Sequence, residues 1–126
     1  VFSFLWKYPH KLMERSHKSN KDLQLLEIGI GAGEHLEFVT PDYQKYLGID
    51  LNPRVNPKLE DTKIIVYKAD CLNLPFENKT FDRVIATCLL AHLADVESAL
   101  IEWVRVCNIF TGGARLGSAF LQTFLF

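Results

Sequence analysis

The sequence is poor in the features that define several protein classes. It has three cysteines in 126 residues, Cys71, Cys88 and Cys107, far apart and with no CxxC pair. An odd, scattered set argues against a disulfide framework and against a zinc site, and implies reduced, mostly buried thiols. No charge of one sign dominates: 14 Lys+Arg stand against 15 Asp+Glu, a net charge of -1. A surface that neutralises nucleic-acid phosphates needs a basic excess or a local Lys/Arg cluster, and neither is present. Apolar runs stop well short of the ~20 residues that cross a membrane. Phe2-Ser3-Phe4-Leu5-Trp6 is also too short for a signal peptide.

What the chain does have is 48% hydrophobic residues and 23% charged ones, the balance of one globular domain. It opens on Val1 and closes on the apolar, aromatic stretch 120–126. Free termini are usually polar, so the expectation is a piece of a longer protein. Residues 1–22 form an aromatic then basic lead-in. Pro9 suits the first turn of a short helix through Leu12, Met13 and Arg15. Tyr8 and His10 are expected on a solvated flank of that lead-in.

From residue 23 onwards, strand and helix signals alternate. Strands are expected at 23–28, 46–50, 63–67 and 82–87, the third rich in β-branched residues. Helical segments are expected from Glu34 to Val39 and after Asp95, a suitable N-cap with Glu97 in the first turn. Val96, Ala99, Leu100, Trp103, Val104 and Cys107 recur there at helical spacing and predict a buried face. Alternation of this kind implies parallel pairing through right-handed crossovers. The predicted class is α/β, a Rossmann-like parallel sheet with helices on both faces.

Ligands in such sheets sit beyond the carboxyl ends of the strands, next to the first strand. Glu27-Ile28-Gly29-Ile30-Gly31-Ala32-Gly33 falls there. A dinucleotide site requires G-x-G-x-x-G, but Glu34 occupies the place of the third glycine. A carboxylate in the first helical turn would also repel a pyrophosphate. The remaining pattern is an acid two residues before three alternating glycines.

That pattern resembles motif I of the class I S-adenosylmethionine-dependent methyltransferases, and the resemblance runs over residues 23–108. Gly48-Ile49-Asp50 is similar to the end of the family's second strand. Lys68-Ala69-Asp70-Cys71, then Leu74-Pro75-Phe76 and Phe81-Asp82-Arg83-Val84-Ile85, are similar to its adenine-side loop and fourth strand. Leu89-Leu90-Ala91-His92-Leu93 with Asp95 resembles the type 11 branch. Phe110-Thr111-Gly112-Gly113 keeps the glycines of the family's later turn without its proline. Residues 114–126 leave room for one more strand, so the family's later C-terminal strands are expected to be missing and residues 23–126 to form an incomplete domain.

The resemblance implies S-adenosylmethionine as cofactor, S-adenosylhomocysteine as product, and methyl transfer to a small-molecule or lipid-like acceptor. An alternative is a truncated or degenerate fold kept as a cofactor-binding or interaction module. Glu27 ends a buried strand and needs a cation, which the cofactor's ammonium would supply; otherwise it is a backbone-bonded acid. Gly29, Gly31 and Gly33 make the cradle, or a turn alone. Asp50, with Leu51 beside it, reads the ribose hydroxyls, or is a plain strand-end acid. Asp70 and Cys71 border the adenine, or Asp70 is a loop acid and Cys71 a small apolar residue. Thr87, Cys88 and Leu89 flank the cofactor or belong to the core. His92 is the one general-base candidate and equally a packing histidine. No metal, nucleic-acid partner or transmembrane segment is expected. A cytoplasmic location is expected, and a homodimer stays open.

Overall fold

The computed structural model describes residues 7, 8, 10, 11, 14, 23–39, 43–56, 63–87, 89–108 and 121–124. Its centre is a parallel sheet of five strands: β1 (Gln24–Ile28), β2 (Lys45–Asp50), β3 (Ile64–Lys68), β4 (Arg83–Thr87) and β5 (Leu121–Phe124). Their order is β3-β2-β1-β4-β5, every neighbouring pair parallel. The order reverses at β1, which pairs with β2 on one side and β4 on the other. That reversal makes the switch point where such sheets bind ligands.

Strands buried on both faces read as near-continuous apolar runs, and in β1 only Gln24 and the buried Glu27 interrupt Leu25, Leu26 and Ile28. Leu26 and Ile28 join Leu47, Ile49, Val84 and Ala86 in a core against helix α1 (Val96–Val106). Leu25, Tyr46 and Ile85 point the other way, into a second core with Ile30 and Tyr43. The α/β class with both faces covered is therefore observed. Strand β5 supplies the one strand expected after the helix.

Two helical expectations need correction. The segment after the glycines is a short 3-10 turn, Glu34–Glu37, and not a helix to Val39. Gly33 precedes it in the left-handed conformation and offers no side-chain cap, while Phe38 N–H bonds back three residues to the His35 carbonyl. In α1, Asp95 caps the Ser98 N–H and Ala99, Trp103 and Cys107 are buried, as predicted, but Val106 joins them and Val96 and Val104 do not. Val104 is exposed because it stands ~100° round the helix from Trp103; Val96, on the Trp103 side, is exposed in the first turn of the helix.

The lead-in is packed where a solvated flank was expected. Lys7, Tyr8, His10, Lys11 and Glu14 are helical; Tyr8 is exposed, but His10 is buried and stacked on Phe38. Pro9, Leu12, Met13, Arg15, Cys88 and the glycine pair Gly112-Gly113 lie outside the described residues.

Candidate functional site

The glycine turn leaves β1 at the switch point and is tied to the end of β2. The Gly29 and Ile30 N–H groups both donate to the Ile49 carbonyl, at 2.8 and 3.0 Å. Gly31 N–H donates to Asp50 Oδ2 at 2.9 Å, and Arg54 N–H closes the far side on the Gly31 carbonyl. All three glycines have positive φ. At Gly31 (φ +56°) an added Cβ would meet only Glu34 Oε2, at 3.5 Å, so the turn presents bare backbone outwards. That surface admits a ligand close to the main chain.

Asp50 and Asp70 both serve the backbone. Asp50 Oδ1 accepts from the Asn52 N–H and Asp70 Oδ1 from the Leu72 N–H, each at 2.9 Å. The plain strand-end and loop readings thus describe real bonds. Neither uses all the lone pairs of its carboxylate. Half-buried Asp50 keeps acceptor capacity at the rim of a pocket walled by Gly29, Ile49, Leu51, Ala69 and Cys71, with Leu89 and Leu93 closing it. The walls are apolar and the rim carries the carboxylate, which suits a flat base joined to a diol.

The loop that contributes Ala69 and Cys71 is fastened to α1. Trp103 Nε1 donates to the Cys71 carbonyl at 3.0 Å, and Glu102 Oε2 accepts the Leu74 N–H at 2.8 Å. Arg105 donates to the Phe76 and Leu74 carbonyls. Burial, then the Asp70 charge, pushes the Cys71 thiol up, so it acts as a small apolar wall and not as a nucleophile.

Of the predicted residues, Gly29, Asp50, Leu51, Cys71 and Leu89 meet at this pocket. Asp70 stands beside it, exposed. Thr87, half-buried at the end of β4, and exposed His92 are not among its walls. Glu27 lies beneath the turn, on the opposite face of the sheet from the α1 core.

Glu27 is 1% exposed. Burial pushes its carboxyl up to about 8; the Tyr46 hydrogen bond opposes this, and the charges of Glu34, Glu14 and Asp50 add to it. Tyr46 Oη–H donates to Glu27 Oε2. No cation among the described residues forms an ion pair with Glu27. Nearby, Glu14 Oε1 takes both His35 Nε2 at 2.8 Å and Arg83 Nη2 at 2.9 Å, and His35 Nδ1 lies 2.8 Å from His10 Nδ1. Tyr46 and this cluster were not foreseen. The signal for Tyr46 was present: a buried strand tyrosine needs a partner for its hydroxyl, and Glu27 points to the same face.

Among the described residues there is no group of three or more His, Cys, Asp or Glu that could hold a metal, and no helix long and apolar enough to cross a membrane.

A glycine turn at the switch point, an acid beneath it and an acid at the end of β2 define a Rossmann-like domain of the class I methyltransferase type. Residues 26–109 match the methyltransferase domain family, and the chain belongs to that family. It is 31% identical to a demethylmenaquinone methyltransferase of Roseiflexus sp. over 67% of this chain and 38% of that protein. It is 30% identical to norajmaline N-methyltransferase of Rauvolfia serpentina over 70% of this chain and 33% of that one. The chain thus spans little more than a third of these relatives. Its fold resembles that of an S-adenosylmethionine-dependent methyltransferase from Aquifex aeolicus, with a TM-score of 0.64, 21% identity, and 79% of this chain and 57% of that one covered.

Proposed function

We propose that the chain binds S-adenosylmethionine and forms the cofactor half of an enzyme that methylates a small-molecule or lipid-like acceptor. The observation that carries this reading is Glu27, a buried carboxyl among three others with no cation paired to it. A buried acid of that kind suits a ligand that brings its own positive charge. The cofactor's α-ammonium would be held by Glu27 and its backbone approach allowed by Gly31. The ribose hydroxyls would donate to Asp50, with Leu51 alongside. The base would lie between Ala69, Cys71, Leu89 and Leu93, with Asp70 outside them and Thr87 on the flank.

When bound, the cofactor supplies an electrophilic sulfonium methyl, so the protein's share is orientation and exclusion of water. His92 is our candidate base for an amine or hydroxyl acceptor, at the exposed end of the 3-10 turn after β4. The names of the two relatives, which give demethylmenaquinone and norajmaline as what is methylated, support an acceptor of the small-molecule or lipid-like class. Calorimetric titration with S-adenosylhomocysteine and with NAD tests the reading. Binding of the first and not the second is expected, and no binding of S-adenosylhomocysteine to folded protein at millimolar concentration would end it.

A further inference from the structure

We propose that Tyr46 is a positioning residue for the cationic end of the cofactor: its phenol fixes the Glu27 carboxyl beneath the glycine turn and supports its ionisation when the ammonium arrives, so that binding releases a proton. The proposal rests on the cofactor reading above and adds a residue and a proton balance to it.

The geometry begins with strand register. Leu25 pairs with Tyr46 across β1 and β2, and Glu27 with Gly48. Tyr46 and Glu27 therefore stand diagonally on one face of the sheet, and the phenol reaches the Glu27 carboxyl across that diagonal. Tyr46 is fully buried, and its ring packs edge-on to Tyr43 at 5.5 Å. Burial, then the neighbouring Glu27, holds the phenol well above its ordinary range, so it is a neutral donor throughout the useful pH range.

The groups around Glu27 disfavour its ionisation until an ammonium is bound. From β2 come Tyr46 and Asp50, from the 3-10 turn Glu34, and from the lead-in Glu14. The nearest cation on β4 is Arg83, whose Nη2 is engaged by Glu14 Oε1, as is His35 Nε2. Carboxylates outnumber cations here, and a second buried negative charge is costly without a partner. When an ammonium binds, the Glu27 carboxylic acid loses its proton to solvent and the carboxylate pairs with the ammonium. No other bond forms or breaks. The phenol's hydrogen bond favours the ionised form, and so favours binding at neutral pH.

The test is calorimetry on the whole chain with S-adenosylhomocysteine, in phosphate and in Tris at pH 7, which counts protons from the difference in buffer heats. Wild type should release close to one proton. 5′-Methylthioadenosine, which lacks the amino-acid end, should bind and release none. Tyr46→Phe keeps the ring against Tyr43 and removes the donor. Its affinity for S-adenosylhomocysteine should fall roughly tenfold at pH 7 and recover by pH 9, because Glu27 then ionises only at higher pH. Glu27→Gln should release no proton at any pH. Binding by wild type without a proton, or a Tyr46→Phe affinity with the wild-type pH profile, would overturn the proposal and leave the cofactor reading standing. Failure of S-adenosylhomocysteine to bind the folded protein would remove both.

Discussion

A Cβ added to Gly48 would sit 2.2 Å from Cδ1 of Ile30 and 3.1 Å from its Cβ and Cγ1. Ile30 lies inside the glycine turn and is buried, so it fills the space a side chain at position 48 would need. The glycine in β2 and the isoleucine of the turn thus fit one another. The glycine turn is seated on the strand that carries Asp50.

Gly48→Ala should therefore destabilise the fold by about 1–3 kcal/mol, the usual cost of overpacking. Adding Ile30→Val removes Cδ1 and the nearest clash, and should return part of the loss. Urea midpoints of the two single variants and the double give the coupling. Strict additivity would mean that the two side chains do not compete for this space.

Asp50 accepts the Gly31 N–H at Oδ2 and is one of the residues that line the pocket. Asp50→Ala should keep the fold, since the residue lies half-buried at the sheet's edge, and should weaken S-adenosylhomocysteine binding roughly tenfold to a hundredfold. A 2′-deoxy analogue should bind wild type more weakly and lose much less on the same substitution. Equal losses for both ligands would leave Asp50 with only its backbone role.

Strands β1 to β4 were legible to within a residue, because parallel strands read as short apolar runs bounded by glycine, proline and aspartate; β5 was legible only as room for one more strand in 114–126. Asp95 was legible as a cap, and residues 29–33 as a glycine turn at the end of β1, since both are local patterns. What needed the folded chain depends on register or on distant partners. Tyr46 meets Glu27, and Gly48 meets Ile30, only once β1 and β2 are aligned. His10 looked solvated because its partner His35 lies 25 positions away. Glu14 drew no notice because Arg83 is 69 positions on.

That distant pairing makes Glu14 the anchor of the lead-in. His35 and Arg83 are each 1% exposed, and one oxygen of Glu14 serves both. Glu14→Ala removes a shared acceptor from two buried groups and should cost on the order of 3 kcal/mol, against near zero for exposed Lys11→Ala. Amide exchange should rise in the lead-in and the 3-10 turn more than in α1. A uniform rise across the sheet would show that the lead-in is not a separately anchored element.

Glu27 also sets how the empty protein responds to pH. Its carboxyl sits at about 8 in the folded chain against an ordinary value near 4.5. Below pH 4.5 folded and unfolded chains both keep this proton, and the group is neutral to stability. Between about 4.5 and 8 only the folded chain keeps it, so stability falls as pH rises, by at most ~1.4 kcal/mol per unit. Glu14 and His10 act in the opposite direction. Burial would raise Glu14, but hydrogen bonds from His35 and Arg83 hold it low, so its contribution is lost as pH falls. Burial and then His35 lower His10, so folding is disfavoured where free histidine is charged. The useful readout is therefore the difference between wild type and Glu27→Gln, in which those two contributions cancel. The amide introduced by that substitution still accepts from the Tyr46 hydroxyl but carries no proton to lose. The variant should match wild type in urea midpoint near pH 4 and exceed it increasingly from there towards pH 8. Parallel curves across that window would mean that Glu27 is already ionised in the empty fold, with a cation supplied by the protein itself.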